Sequence, residues 1–310
     1  MEKTKLFAVF GNPILHSKSP QLFNSVFKEL GKDAYYTRIR PQSVFDIVDL
    51  IRNLPLSGAN ITAPFKVELI PFLDELSSEV KMIGAVNTVI NINGKLWGYN
   101  TDHVGVLESL NQERVSLIEA KCLVIGGGGA ARAAVYGLIK QGADVIVCNR
   151  TLSKAQRIAS DFGCDIMAWD TFDTNENFNV LVSTLLPDVV PPFIKSLKLN
   201  YLLDASYKQS VVFQMANRMG IQVISGERWL LHQAAEAYRL FFDEVIPVSL
   251  MEKGLHKQLE KSDVKTVGYD INSPFHELDL HTDLIVSSKG MDNLQVKGII
   301  DEEFGKAFSC

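Results

Sequence analysis

The sequence predicts an α/β protein of two domains followed by a C-terminal extension of unknown fold, and three observations lead there. Between Lys121 and Thr151 a short apolar strand runs into four consecutive glycines, then a helical pattern, then a second apolar strand. The hundred or so residues ahead of it alternate strand-like and helix-like patterns, as layered α/β domains do. Beyond about residue 255 that alternation stops, and His256, His276 and His281, half of the chain's 6 histidines, fall there.

The 310 residues suit two domains of ordinary size. With 46% hydrophobic and 22% charged residues, a packed core is expected and disorder is not. A net charge of −5 argues against the basic footprint of a nucleic-acid binder. No apolar run reaches membrane-spanning length, and the first apolar stretch is cut short by Gly11-Asn12-Pro13, unlike a secretion signal. Cys122, Cys148, Cys164 and Cys310 show neither disulfide nor metal spacing. The expectation is a soluble cytoplasmic protein with no nucleic-acid and no membrane partner; monomer and homodimer stay open.

Residues 6–10 read as a strand, and the loop after Gly11-Asn12-Pro13 carries His16-Ser17-Lys18-Ser19. Ser19 before Pro20 reads as a helix cap with proline at the first helical position, followed by the apolar stripe Leu22, Phe23, Val26, Phe27, Leu30 and a stop at Gly31. Ser17 has no capping role in this reading, and two hydroxyls at a strand's carboxyl end suit a small anion. Residues 34–40 predict a second strand, 41–54 an amphipathic helix and 57–62 a third strand. Ala63-Pro64-Phe65-Lys66 should open another short helix, placing Lys66 where the helix dipole disfavours a cation. Residues 84–91 and 95–99 read as strands joined through Asn93-Gly94, a hairpin signal. A helix then starts at Asn100-Thr101-Asp102. Ser17, Ser19, Thr62, Lys66, Asn87 and Asp102 all fall near strand ends, where open α/β sheets bind ligands, and together they imply a pocket for a polyhydroxylated acid.

In the glycine stretch, Gly126, Gly128 and Ala131 fit the G-x-G-x-x-A spacing of a dinucleotide-binding turn. Gly126 allows the tight turn, Gly128 lets backbone approach a pyrophosphate, and Ala131 lets helix pack on strand. Gly127, Gly129 and Ala130 complete the turn, and a helix over residues 129–141 aims its first N–H groups at the phosphates. A strand follows over residues 144–148. Its end decides the cofactor: an acidic residue there would select NAD, whereas Asn149, Arg150, Thr151 and the nearby Lys154 offer a guanidinium fork and a point charge for a 2′-phosphate. The expected cofactor is therefore NADP on a Rossmann-type domain.

Further strands are expected at residues 165–169, 180–184, 201–205 and 221–225, with a long helix over 227–244 returning to the first domain. The extension predicts short strands at 266–269 and 283–287. His276 and His281 would point to opposite faces of a strand, so no metal site is expected.

Taken together, Gly11-Asn12-Pro13-Ile14 with His16-Ser17-x-Ser19-Pro20, Asn60-Ile61-Thr62-x-Pro64-Phe65-Lys66, Gly84-Ala85-Val86-Asn87-Thr88, Asn100-Thr101-Asp102-x-x-Gly105, the glycine turn, Asn149-Arg150-Thr151 and Gln233-Ala234 run in one order over residues 4–250. In this the chain resembles the shikimate dehydrogenase family, whose members reduce 3-dehydroshikimate to shikimate with NADPH in aromatic amino-acid biosynthesis. The resemblance implies that Ser17 and Ser19 hold the substrate carboxylate. It implies that Thr62, Asn87, Asp102, Tyr207 and Gln233 surround the ring hydroxyls, and that Lys66 with Asp102 forms the catalytic pair. On this reading residues 1–105 and 236–255 make the substrate domain, 106–235 the NADP domain and 256–310 the extension. The chain departs from the family pattern at Phe23, at Ser183-Thr184-Leu185-Leu186-Pro187 and at Tyr207-Lys208-Gln209-Ser210. A quinate/shikimate dehydrogenase of broader substrate or NAD use, and a non-catalytic NADP(H)-binding regulator, are the alternatives.

Overall fold

The computed structural model describes residues 4–14, 16–54, 56–170 and 176–255, and the backbone of 284–286. It divides into two compact units: residues 1–80, 86–99 and 234–310 in one, residues 81–85 and 100–233 in the other. The histidines at 256, 276 and 281 and the strand expected at 266–269 lie outside the described residues.

In the first unit, β1 (Lys5–Phe10), α1 (Ser19–Glu29), β2 (Ala34–Pro41), α2 (Val44–Asn53) and β3 (Leu56–Ile61) alternate, with β1 parallel between β2 and β3. The two-residue β4 (Glu75–Leu76) and α3 (Ser78–Ile83) precede the antiparallel hairpin of β5 (Thr88–Ile92) and β6 (Lys95–Tyr99). Asn93 and Gly94 turn that hairpin, both with positive φ, as their side chains permit. A last strand, Leu284–Val286, adds parallel to the outer edge of β2. The sheet therefore runs from that strand through β2, β1, β3, β5 and β6 to β4. Phe10, Ile39, Ile47, Leu50 and Ile61 fill one core of this unit.

Because β1 and β3 are parallel while β5 runs the other way, the end of β1, the end of β3 and the start of β5 gather at one edge of the sheet. Packing at that edge is tight: a Cβ on Gly11 would lie 2.3 Å from Thr62 Cγ2. The Ile61 N–H donates to the Asn87 carbonyl at 2.8 Å, and the Val86 N–H donates to the Lys66 carbonyl at 2.8 Å.

The second unit opens with α4 (Asp102–Gln112) and continues through β7 (Lys121–Ile125), α5 (Gly129–Lys140), β8 (Asp144–Cys148), α6 (Leu152–Phe162) and β9 (Asp165–Met167). Then come β10 (Asn177–Ser183), β11 (Lys198–Asp204), α7 (Val211–Arg218) and β12 (Gln222–Ile224). All six strands are parallel, in the order β12, β11, β10, β7, β8, β9. The chain winds outward from β7 to β9, then restarts at β10 on the other side, so the switch point lies between β7 and β10. Val124, Ala131, Val135, Val147 and Val182 pack one face of this sheet, and Leu123, Ile125, Leu181 and Phe193 pack the other.

The chain then passes through α8 (Gly226–Phe242) and α9 (Val248–Leu255). The last turns of α8 complete the aromatic core of the first unit, where Phe7 meets Phe241 at 4.6 Å between ring centroids and Tyr238 stacks on Phe242 at 4.7 Å. The close approach of α9 to α1 depends on Gly254, where a Cβ would come within 2.6 Å of the Gln21 carbonyl oxygen.

Several local expectations are corrected. Ser19 does not cap α1: Lys18 holds the cap position, Ser19 is already helical, and its N–H points to Ser17 Oγ at 3.4 Å. The helix expected at 41–54 starts later, because Ser43 and Asp46 form a reciprocal capping box. After Pro64 there is no α-helix but a run of turns ending in a 3₁₀ turn at Ile70–Phe72, so the dipole argument about Lys66 falls away. Prolines at 64 and 71 leave too few residues between them for a stable helix. The strand expected from Gly84 starts at Thr88, since Gly84 with φ +67° terminates α3.

Candidate active site

In the first unit, the Ser17 and Ser19 side chains are buried and their hydroxyl oxygens lie 3.3 Å apart. The turn that presents them is closed by the Ser17 N–H, which donates to the Ile14 carbonyl at 2.9 Å. Ser19 Oγ therefore comes from the first turn of α1 and Ser17 Oγ from the loop just ahead of it. Two hydroxyls so close can both donate to one small anion.

A second buried polar cluster fixes Asn87. Tyr36 donates its hydroxyl to Asn60 Oδ1 at 2.6 Å, and Asn60 Nδ2 donates to the Asn87 carbonyl at 3.2 Å and to Thr88 Oγ1 at 3.0 Å. Thr88 in turn donates to Asn87 Oδ1 at 3.0 Å, so the amide plane of Asn87 is set by its neighbours. Phe23, where the resemblance leads one to expect histidine, is fully buried and stacks on Tyr36 at 4.4 Å. Its role is to hold that tyrosine. Thr62 and Lys66 are half-buried on the loop after β3, a few residues from this cluster along the backbone.

In the second unit, Asp102 is buried at the first residue of α4, and its N–H donates to Asn100 Oδ1 at 3.0 Å. Asn100 Nδ2 donates to the Ala85 carbonyl at 2.9 Å, which anchors the segment 81–85 to α4. The neighbouring Thr101 Oγ1 donates to Gln233 Oε1 at 3.4 Å, and Gln233 Nε2 donates to the Leu230 carbonyl at 3.1 Å. Gly105 leaves room for α8, since a Cβ there would fall 2.4 Å from Trp229 Cδ1. Asp102 and Gln233 are thus held by adjoining parts of one unit, whereas Ser17, Ser19, Thr62, Lys66 and Asn87 belong to the other. Asp102 groups with the second unit, which takes in residues 100–233. Tyr207 is half-buried in the loop after β11.

The glycine turn fits a dinucleotide. Gly126 has φ +143°, and a Cβ there would lie 1.9 Å from Thr184 Oγ1, a hydroxyl that donates to the Ile125 carbonyl at 3.1 Å. At Gly127 a Cβ would meet Lys154 Cβ at 2.8 Å and Asn149 Cγ at 3.0 Å. Gly128 instead borders open space and caps α5, so a phosphate can approach the first N–H groups of the helix, beginning at Gly129 and Ala130. Ala131 is fully buried against β7 and β8, as its small side chain requires. At the end of β8, Asn149 Nδ2 donates to the Thr151 carbonyl at 2.9 Å, while Arg150 and Lys154 stand exposed. Two exposed cations beside this turn suit a 2′-phosphate, where an NAD site would offer a carboxylate to the ribose hydroxyl.

Two of the thiols are poor candidates for chemistry. Burial pushes Cys122 and Cys148 up to about 12, which removes them as nucleophiles. Among the described residues no group of three or more His, Cys, Asp or Glu side chains is placed to hold a metal, and no helix is long and apolar enough to cross a membrane. Arg38, Asn60, Thr101 and Thr184 all support the polar clusters yet escape a sequence reading. Asn60, Thr101 and Thr184 stand inside segments that the sequence singles out and offer a signal; Arg38 does not.

A parallel six-stranded sheet with its glycine turn at the switch point, joined to a unit bearing a buried hydroxyl pair, defines a nucleotide-binding α/β protein of the dehydrogenase class. Residues 9–89 match the family model described as shikimate dehydrogenase substrate binding domain, and residues 109–186 match that of shikimate / quinate 5-dehydrogenase. The shikimate dehydrogenase (NADP(+)) of Aquifex aeolicus is 34% identical over 261 residues, covering 82% of this chain and 97% of that protein. That of Pyrococcus furiosus is 36% identical over 272 residues, covering 81% and 95%. Among solved structures, the Aquifex aeolicus shikimate dehydrogenase superposes with a TM-score of 0.75 at 32% identity, covering 82% of this chain and 98% of that one. The Thermus thermophilus shikimate 5-dehydrogenase, solved in complex with NADP(H) and shikimate, gives 0.73 at 30% identity, covering 81% and 98%. The chain belongs to the shikimate dehydrogenase family.

Proposed function

We propose that the chain catalyses the reversible, NADP-dependent reduction of 3-dehydroshikimate to shikimate, in aromatic amino-acid biosynthesis. The observation that carries this reading is its alignment with 97% of the length of a relative named shikimate dehydrogenase (NADP(+)). The buried serine pair and the glycine turn both fall within the aligned family segments, which supports it further.

In this proposal Ser17 and Ser19 donate their hydroxyls to the substrate carboxylate. Thr62, Asn87, Tyr207 and Gln233 hydrogen-bond the ring hydroxyls and fix which carbonyl is presented. NADPH, held by the turn from Gly126 to Ala131 with Asn149, Arg150, Thr151 and Lys154, supplies the hydride. Reduction builds negative charge on the carbonyl oxygen, and the Lys66 ammonium stabilises that charge and donates the proton that completes the hydroxyl. Asp102 accepts a hydrogen bond from the adjacent ring hydroxyl and orients the ammonium by its opposite charge. General acid catalysis of this kind contributes about 10²–10⁴-fold. A cytoplasmic setting belongs to the same proposal, supported by the free, buried thiols of Cys122 and Cys148.

The second reading is oxidation of quinate, favoured by the family description that matches residues 109–186 and names both acids. Initial rates with shikimate and quinate, each with NADP⁺ and NAD⁺, decide between them. The highest kcat/KM is expected for shikimate with NADP⁺; a higher value for quinate would reverse the assignment. NADP⁺ binding by calorimetry without turnover of either acid would identify a binding protein instead of an enzyme.

A further inference from the structure

The carbonyl of Ile125, the last residue of β7, receives two donors from Thr184, the first residue after β10: its N–H at 2.9 Å and its Oγ1 at 3.1 Å. The N–H alone would satisfy that carbonyl and extend the ladder, in which Ser183 already faces Ile125. The hydroxyl is a second, side-chain hold on the same oxygen. The peptide joining Ile125 to Gly126 is gripped at its other end too, because the Gly126 N–H donates to the Cys148 carbonyl at 2.9 Å. One peptide plane, beside the switch point of the sheet, is thus clamped from β10 on one side and from β8 on the other. It stands directly ahead of Gly126, where φ is +143° and a Cβ would lie 1.9 Å from Thr184 Oγ1. The clamp therefore sets the direction in which the chain leaves β7, and with it where the N–H groups at the start of α5 point.

We propose that Thr184 is a positioning residue for the dinucleotide: its hydroxyl fixes the Ile125–Gly126 peptide so that the glycine turn and the first N–H groups of α5 meet the pyrophosphate. This rests on the cofactor site of the function proposed above and does not depend on which acid is the substrate. Donors held in place before a ligand arrives bind it more tightly than donors that must be ordered on binding. A pyrophosphate is common to NADP⁺ and NAD⁺, so the effect falls on both alike. That separates Thr184 from Arg150, whose effect belongs to the 2′-phosphate.

Calorimetric titration of NADP⁺ and of NAD⁺ into the full-length wild type, Thr184→Ala and Thr184→Ser tests this. Thr184→Ala loses the hydroxyl and adds no bulk beside Gly126; it is expected to weaken both cofactors about fivefold, the size of one hydrogen bond. Thr184→Ser keeps the hydroxyl and is expected to bind both as the wild type does. At saturating NADP⁺, kcat and KM for shikimate in Thr184→Ala are expected to stay near the wild-type values. A loss there as large as the loss in cofactor affinity would overturn the inference and show a general loosening of the fold. Unchanged cofactor affinity in Thr184→Ala would overturn it as well. So would equal losses in Thr184→Ala and Thr184→Ser, since the hydroxyl would not be their cause, or a loss confined to NADP⁺. If circular dichroism shows Thr184→Ala unfolded, Thr184→Val, which keeps the branched shape without the hydroxyl, takes its place under the same outcomes. A wild type that binds NADP⁺ but does not oxidise shikimate overturns the proposed function and leaves the calorimetric test of Thr184 in force. A wild type that oxidises shikimate and whose cofactor affinity survives Thr184→Ala overturns the inference alone.

Discussion

Ser17, Ser19, Asn60 and Asn87 are all buried, while Arg150 and Lys154 stand exposed. In the first unit, polarity is built into the interior: hydroxyls and amides lock one another, so each group points where its neighbours send it. In the second unit the candidate binding feature is main chain. Gly126 and Gly127 clear a path, the start of α5 offers N–H groups, and the cations beside the turn add charge from solvent. A buried polar network fails sharply when a member is lost, because the remaining partners are left unsatisfied. A backbone cradle with exposed charges fails sharply only at its glycines and gradually at its cations.

The largest effect should come from Lys66→Ala, with kcat for shikimate falling about 10²–10⁴-fold and shikimate binding changing much less. Steady-state rates with calorimetric binding test this, and unchanged turnover would remove Lys66 from the mechanism. Next comes Gly126→Val. Its φ of +143° and the 1.9 Å approach to Thr184 Oγ1 leave no room for a side chain. The backbone strain costs about 1–3 kcal/mol, and a lowered Tm with loss of NADP⁺ binding is expected. Wild-type NADP⁺ affinity in this variant would show that the turn does not carry the cofactor. Arg150→Ala is expected to be graded, weakening NADP⁺ about tenfold, or roughly 1.4 kcal/mol, while leaving NAD⁺ unchanged. An equal loss for both cofactors would place Arg150 away from the 2′-phosphate.

The smallest effect concerns Asp204. Burial holds its carboxyl above the usual range, against the opposing hydrogen bonds of Ser206 and Ser210. The folded chain then binds that proton more tightly than the unfolded chain, so this group's contribution to stability falls as pH rises from the ordinary carboxylate range through the folded-state pKa. Asp204→Asn should flatten that fall in a series of thermal melts on the acid side of neutrality. A slope identical to the wild type's would rule the carboxyl out as its source.

The contrast between the regions also explains what the sequence disclosed. The β7–α5–β8 unit was legible because glycine spacing, strand pattern and helix follow directly from backbone rules. The strand ends singled out the serine pair and Asn87, and to these the resemblance added roles. It could not reveal that Arg38 turns inward, because a charged residue on an alternating strand is ordinarily expected in solvent, and its partner is a carbonyl 21 residues back. The loop carrying Lys66 was misjudged for a related reason. Apolar Phe65, Leu69 and Ile70 mimic a helical stripe, but their spacing serves turns that bury Phe65 and Leu69 under β3. Ser19 fits a capping pattern, yet the hydroxyl two residues earlier takes its N–H.

The five residues 81–85 group with the second unit although residues on both sides of them group with the first. Arg132 of α5 grips this stretch through the Ile83 carbonyl, and Asn100 holds Ala85. With the joins at 80/81, 85/86, 99/100 and 233/234, neither half of the protein is an unbroken length of polypeptide. A gene fragment spanning only 100–233 would lack the stretch that covers Ala133 and engages Arg132. Such a fragment is expected to be less stable than the same lobe inside the whole chain, so partial digestion or gene splitting should yield no independently thriving nucleotide-binding piece.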